Sequence, residues 1–236
     1  PKLVQFSGVR QGMKLLDVAC GTGVVALTAS RQGVEVEGID LTPELISRAI
    51  ENSKIMGLKA KFVEGDAEFL PYKENEFDII LSQYGHMFAP RPAVVVKELA
   101  RVLKPGGILA FSTWPKELFM GKFFKLIESF SEPLPSEVAS PVLWGDMAVI
   151  EDRLKDHFNQ IEFGRDTMFA PTMSPEHMLK LFEKNAGPLA NLVKALANDP
   201  TKLSNLRNAA LELIENFFSN NFLRQDFLMT RCIKKA

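Results

Sequence analysis

A doubly wound α/β sheet is the fold class this sequence predicts, and three observations carry the prediction. Short apolar runs alternate with stretches of helical periodicity over the first 113 residues, the links between them are short, and the runs are apolar almost throughout. Uninterrupted apolar runs suit strands covered on both faces of a parallel sheet, where half-exposed strands would alternate.

The elements follow in order. A first strand is expected over Lys14–Ala19, a Gly-rich turn follows, and a helix covers Gly23–Gln32. A second strand, Glu35–Ile39, leads to a helix over Thr42–Met56, which opens on Thr42, Pro43 and Glu44, an N-cap followed by proline at the first helical position. Strands follow at Lys61–Glu64 and Phe77–Ser82, then a helix over Pro92–Leu103 that ends on Lys104-Pro105-Gly106-Gly107, and a strand over Gly107–Thr113. Beyond that the character changes. Residues 116–141 read as irregular, because Pro133, Pro135 and Pro141 break any long helix. A helix over Asp146–Phe158 and a strand near Gln160–Phe169 precede a helical region from Ser174 to Asn220, interrupted at Gly187-Pro188 and Asp199-Pro200. Phe222–Ile233 is strand-like and would close the sheet. The expected organisation is one domain over 1–236, with a ligand-binding half at 12–113 and two cap segments, 116–141 and 174–220.

Composition narrows the class. The chain has 236 residues, 46% hydrophobic and 24% charged, which is ordinary globular usage. Lys plus Arg number 28 and Asp plus Glu 29, a net charge of -1, so no basic excess marks a nucleic-acid binder. Cys20 and Cys232 form no disulfide framework and supply no metal site. The sequence contains no apolar run of membrane-spanning length and no basic-then-apolar leader, which predicts a soluble, cytoplasmic protein with no membrane span. A homodimer is compatible with this composition. The chain opens on Pro1, so a leading segment is expected to have been removed or to lie outside this sequence.

The chemistry-bearing signal begins at Leu15-Leu16-Asp17-Val18-Ala19-Cys20-Gly21-Thr22-Gly23. Two glycines at a strand-to-helix turn let a ligand approach the backbone, and the helix start offers N–H groups to a carboxylate or phosphate. Gly21-Thr22-Gly23-Val24-Val25-Ala26 also fits the dinucleotide fingerprint G-x-G-x-x-A, a weak match when alone. Asp17 separates the readings, since an acid beside the turn repels a pyrophosphate and favours a cationic head group. Asp40, 19 residues after Gly21 at the end of the second strand, is placed to accept from ribose hydroxyls. Asp66, in Gly65-Asp66-Ala67 after the third strand, is placed to accept from the exocyclic amine of adenine. Acids at three successive strand ends suit an adenosyl sulfonium, S-adenosylmethionine, better than a diphosphate.

The set Asp17–Gly23, Gly38-Ile39-Asp40, Glu64-Gly65-Asp66-Ala67, Phe77-Asp78-Ile79-Ile80 and Leu103-Lys104-Pro105-Gly106-Gly107 resembles the class I S-adenosylmethionine-dependent methyltransferases, over about residues 12–113. The closest look is to the small-molecule enzymes of the type-11 group, among them those of ubiquinone and menaquinone biosynthesis. The resemblance implies a Rossmann-like seven-stranded sheet with an antiparallel last strand. It implies cofactor contacts at Asp17, Gly21, Gly23, Asp40, Asp66 and Ala67, with Ser82 beside the methionine portion; Ala19, Cys20, Thr22 and Leu41 flank these positions and complete the expected cofactor-binding set. Many relatives begin with a helix covering the cofactor, and that lid is expected either to be absent here or to lie outside this sequence.

His86 and Tyr84 follow the fourth strand on the acceptor side. His86 is the first candidate to remove a proton from a methyl acceptor and Tyr84 the second; a loop histidine that merely shapes the pocket is the alternative. Phe119, Phe123, Phe124, Phe130, Phe217, Phe218 and Phe222 read as packing within the cap before they read as acceptor pocket. His157 and His177 read as surface residues on helices. The expected activity is methyl transfer from S-adenosylmethionine to a small, apolar or aromatic acceptor, releasing S-adenosylhomocysteine. Two rivals are an NAD(P)-dependent oxidoreductase and a non-catalytic binding protein on the same scaffold.

Overall fold

The structure, a computed structural model, describes residues 1–133, 135 and 138–236; residues 134, 136 and 137, within the predicted cap segment 116–141, lie outside the described residues. Its strands are β1 (Lys14–Val18), β2 (Glu35–Asp40), β3 (Lys61–Glu64), β4 (Phe77–Gln83), β5 (Leu103–Thr113), β6 (Phe158–Pro171), β7 (Phe218–Ser219) and β8 (Phe222–Lys234). They form one sheet in the order β3-β2-β1-β4-β5-β8-β6, with β7 paired to β8 off this path. Pairings from β3 through β5 are parallel, and β8 runs antiparallel to β5. This is the mostly parallel α/β sheet with an antiparallel final strand that the sequence predicts, Rossmann-like in topology.

The helices are α1 (Lys2–Ser7), α2 (Val24–Ser30), α3 (Pro43–Ile55), α4 (Pro92–Val102), α5 (Phe119–Phe130), α6 (Met147–Leu154), α7 (Pro175–Asn185), α8 (Gly187–Ala195) and α9 (Pro200–Glu215). By its contacts the chain divides into two compact units, Pro1–Thr113 with Glu137–Gly164 and Leu228–Ala236, and Trp114–Ser136 with Arg165–Phe227.

In the first unit the central strands are buried over nearly their whole length: Leu15, Leu16, Asp17 and Val18 on β1, and Ile79, Ile80, Leu81 and Ser82 on β4. Helix α2 lays Val25, Ala26, Leu27 and Ala29 on this sheet, and α4 buries Val95, Val96 and Leu99. Helix α1, absent from the predicted elements, adds Leu3 and Val4 to the same core. The order β2-β1-β4 reverses the direction of winding between β1 and β4, and the crevice beyond the carboxyl ends of strands at such a reversal is where α/β sheets hold ligands.

The second unit takes in the predicted cap segment 174–220 and the larger part of 116–141, whose last residues belong to the first unit. The expectation of irregular structure over 116–141 is corrected by α5: Phe119, Phe123, Phe124 and Ile127 recur at helical spacing, and the prolines at 133 and 135 come after the helix has ended. Phe119 stacks on Phe123 at 5.6 Å, Phe123 meets Phe182 at 5.0 Å and Phe119 meets Phe217 edge-on at 5.5 Å, so these rings form the unit's core. The helical breaks fall where the sequence places them. Gly187-Pro188 opens α8, and Asp199 caps α9 by accepting the Lys202 N–H at 2.9 Å before Pro200.

Gly38, in the middle of β2, is held small by its neighbours: a Cβ there would lie 2.6 Å from Cδ1 of Phe62 and 3.0 Å from Sγ of Cys20. Phe62 and Cys20 are buried core residues with little room to retreat. Gly38→Ala is therefore expected to destabilise the protein by about 1–3 kcal/mol, as overpacking of a dense core does, read as a lower urea midpoint with an unchanged slope.

Candidate functional site

The ends of β1, β2, β3 and β4 surround a cavity of about 550 Å³. Its lining runs from Ala19 and Gly21 after β1, through Asp40, Leu41, Thr42 and Leu45 around the end of β2, to Gly65, Asp66, Ala67 and Glu68 after β3. Gln83, Tyr84, Gly85, His86, Phe88, Ala89 and Pro90, at and beyond the end of β4, complete it.

Two features of the backbone open this space. Ala19 and Tyr84, at the tips of neighbouring strands, both adopt left-handed conformations, with φ of 53° and 63°. Such geometry is strained for residues with a side chain and concentrates at functional sites. Between them, Gly85 packs on Ala19 so closely that a Cβ would stand 2.3 Å from the Ala19 Cβ and 2.9 Å from its carbonyl oxygen. Glycine at 85 is thus a condition for the two tips to meet.

Asp40 shapes the opposite wall. One carboxylate oxygen accepts the Gly21 N–H at 2.8 Å and the other accepts the Thr42 N–H at 2.9 Å, joining the glycine turn to the start of α3. Each oxygen has lone-pair capacity beyond these bonds. Asp66 accepts the Glu68 N–H at 2.8 Å through Oδ1. Glu68, buried, accepts from Arg91 both the backbone N–H at 2.6 Å and the Nε–H at 2.7 Å, which clasps the loop after β3 to the loop after β4. Three carboxylates, Asp40, Asp66 and Glu68, are therefore among the lining residues, with one guanidinium answering Glu68.

Asp17 stands elsewhere than expected. It does not line the cavity; its side chain is buried beneath it, and Oδ2 accepts the Ala26 N–H at 2.9 Å while Oδ1 has no partner. Gly23 precedes α2 and has no side chain to cap it, so Asp17 supplies the missing cap from the strand below. That takes one of the helix-start donors expected to face a ligand. Burial pushes the Asp17 carboxyl up to about 7, against the pull of the Ala26 N–H, and the nearby Asp40 charge adds to the rise. Cys20, Thr22 and Gly23 also lie outside the lining, and burial pushes the Cys20 thiol up, which makes it a packed residue and no nucleophile. Ala19, Gly21, Asp40, Leu41, Asp66 and Ala67 do share the cavity.

Tyr84 and His86 share it as well. The Tyr84 N–H donates to the Ser112 carbonyl at 3.0 Å, extending the β4–β5 ladder into the turn. His86 opens a short 3₁₀ turn, His86–Phe88, and its ring lies against Phe111 at 4.6 Å and Trp144 at 4.7 Å. Ser82 lies outside the lining and beneath it, with Oγ 3.1 Å from His86 Nδ1. Desolvation, with a smaller push from the Arg153 guanidinium, holds the His86 imidazole down at about 3, so it is neutral at physiological pH. Sequence reasoning passed over Thr42, Leu45, Gly65, Glu68, Gln83, Gly85, Phe88, Ala89 and Pro90 as lining residues; the spacing of Glu68 two positions after Asp66 was the one available signal. No cluster of metal-ligating side chains occurs among the described residues.

Residues 16–111 match the family model described as a methyltransferase domain. An uncharacterized protein of Mycobacterium tuberculosis is 33% identical over 230 residues, covering 97% of this chain and 84% of the relative. Demethylmenaquinone methyltransferase of Staphylococcus aureus is 40% identical over 111 residues, 46% of each chain. Among solved structures, phosphoethanolamine N-methyltransferase 2 of Haemonchus contortus, in complex with S-adenosyl-L-methionine, is similar in fold with a TM-score of 0.61 at 18% identity, covering 100% of this chain and 52% of that one.

The buried neutral imidazole has a consequence for stability. Between about 3 and 6.5 the unfolded chain binds a proton at His86 that the folded protein does not, so this group's contribution is full above 6.5 and is lost as the pH falls. Asp17, raised from 3.8 to about 7, works in the opposite sense, its contribution being lost as the pH rises through that range. The difference between wild type and His86→Gln isolates the first effect: unfolding free energies measured in urea from pH 4 to 7 should fall more steeply with acid in the wild type, by up to about 1.4 kcal/mol per pH unit. Parallel profiles would show that the imidazole takes up its proton over the same pH range in the folded and unfolded chain.

Proposed function

Because the chain belongs to the class I S-adenosylmethionine-dependent methyltransferases, we propose that the cavity binds S-adenosylmethionine and that the protein transfers its methyl group to a small, apolar or aromatic acceptor. The single observation that carries the cofactor reading is the shared cavity of Asp40 and Asp66, two acids from successive strand ends. That wall attracts a cation and repels the diphosphate of a dinucleotide, which disfavours the oxidoreductase alternative.

The residues present fit the cofactor. Asp40, with lone pairs beyond its two backbone bonds, would accept from ribose hydroxyls. Asp66 would accept from the adenine amine, the Ala67 backbone would meet a ring nitrogen, and exposed Leu41 gives an apolar cover. Gly21 and the strained tip at Ala19 leave room beside the turn. When bound, S-adenosylmethionine supplies a methyl group already activated on a sulfonium and leaves as S-adenosylhomocysteine. The protein's share of the work is then alignment of the acceptor and exclusion of water, for which no strong base is required.

His86 and Tyr84 are the side chains proposed to meet the acceptor. Burial keeps His86 neutral and able to accept a hydrogen bond, and the same burial makes it a weak base. Its proposed role is to hold the acceptor's proton as the methyl arrives, with Tyr84 as the second candidate. The demethylmenaquinone enzyme among the relatives supports an apolar ring as the acceptor class. No helix among the described residues is long and apolar enough to cross a membrane, and the net charge of -1 argues against nucleic acid as substrate. A cytoplasmic enzyme, alone or as a homodimer, is the setting we propose.

Calorimetry tests this reading. S-adenosylmethionine and S-adenosylhomocysteine should both bind and raise the melting temperature, whereas NAD and NADP should do neither; the reverse pattern would reject the assignment. Asp40→Ala should weaken cofactor binding at least about 10-fold, the loss of a charge-assisted hydrogen bond being worth roughly 1.5–3 kcal/mol. With an acceptor in hand, His86→Gln should lower turnover and leave cofactor affinity unchanged; equal turnover would remove His86 from the mechanism.

A further inference from the structure

Ser82 is fully buried in β4, and its hydroxyl has three neighbours. It donates to the Val18 carbonyl at 2.7 Å, accepts the His86 N–H at 3.2 Å and lies 3.1 Å from His86 Nδ1. A serine has one hydroxyl proton. If that proton turned to Nδ1, lone pairs of the Ser82 and Val18 oxygens would face each other at 2.7 Å, a repulsive contact. The proton therefore stays on the Val18 side, and Nδ1 must be the donor to Oγ. A neutral imidazole carries one N–H, so Nε2 is left with a lone pair.

Nε2 is buried and has no partner. Among the described residues that line the cavity, it is the one buried side-chain nitrogen or oxygen in that condition. The ring plane is held by Phe111 and Trp144, both edge-on to it. Arg153, its guanidinium 4.5 Å from the centre of the Trp144 ring, keeps a positive charge nearby that opposes a second proton on the imidazole. A buried acceptor without a partner is uncommon in folded proteins, and in a residue that lines the cavity it is a place for a ligand's donor.

We propose that Ser82 is a positioning residue that locks His86 as the Nδ1–H tautomer, so that Nε2 faces the methyl acceptor as a hydrogen-bond acceptor and the site takes compounds carrying an O–H or N–H. This rests on the methyltransferase reading and adds to it the chemical class of the acceptor and the group that sets it. A fully substituted ether or ester has no proton to offer Nε2 and is excluded.

The test is nitrogen NMR on protein labelled with ¹⁵N-histidine at neutral pH, the His86 signals being identified by their loss in His86→Gln. Wild type should show Nδ1 protonated and Nε2 bare. Ser82→Ala should shift the ring towards the Nε2–H form, and Ser82→Thr, which keeps the hydroxyl, should restore the wild-type pattern. A wild-type ring carrying its proton on Nε2, or a Ser82→Ala ring identical to wild type, would overturn the lock; the first outcome needs no Ser82 variant to fold. In protein saturated with S-adenosylhomocysteine, phenol should move the Nε2 resonance and anisole should not. An equal response to the two, or none to either, would overturn the acceptor class. Failure of S-adenosylhomocysteine to shift the melting temperature would instead reject the cofactor reading, leaving the tautomer result intact.

Discussion

The site depends on one arrangement, the Asp40 carboxylate held between the Gly21 and Thr42 N–H groups. A strand-to-helix turn made of small residues has many conformations of similar energy, and a charge-assisted hydrogen bond at 2.8 Å selects one of them. The same side chain fixes the first residue after β2, so a single acid sets two of the cavity's borders. Its remaining lone pairs are then directed by the protein before any ligand arrives, which is the meaning of preorganisation at such a site.

Carboxylates in one small region repel each other, and the fold answers in three ways. Glu68 is neutralised by Arg91. Asp17 is taken below the surface, where desolvation raises its pKa and the Ala26 N–H holds it. Asp40 and Asp66 stay at the wall, stabilised by backbone donors that balance part of their charge. The field left over in the cavity favours a cation, which fits the sulfonium chemistry of the family. Behind His86 the character is aromatic: His86, Phe111 and Trp144 form a cluster, with the Arg153 guanidinium over the Trp144 ring, in which the imidazole is a polar group within apolar packing.

Much of this was legible in the sequence because parallel-sheet strands advertise themselves. Continuous apolar runs located β1, β2, β3 and β4 to within a residue or so, and since ligands gather at strand ends, Asp40 and Asp66 could be placed with no knowledge of side-chain contacts. Asp17 shows the limit. Its position at the strand end was readable, but the donor that claims its carboxylate, Ala26, lies nine positions away on the following helix, and no local pattern pairs the two. The Glu68–Arg91 clasp was hidden for a related reason, as nothing local ties residues 23 apart. Helix α5 was misread because Pro133 and Pro135 drew attention from the phenylalanine spacing before them. The contact of Ser82 with Val18, across 64 residues, had no local signal at all.

The place of β8 has a bearing on how the molecule is made. It is the last strand in the chain, yet it lies between β5 and β6 in the sheet. Until the segment carrying β8 has been made, β5 and β6 have no neighbour on those sides, and both keep open edges ready to pair with a strand of another chain. Completion of the sheet is therefore a late, long-range event. A chain cut short before β8 would retain every residue that lines the cavity and still be prone to aggregate.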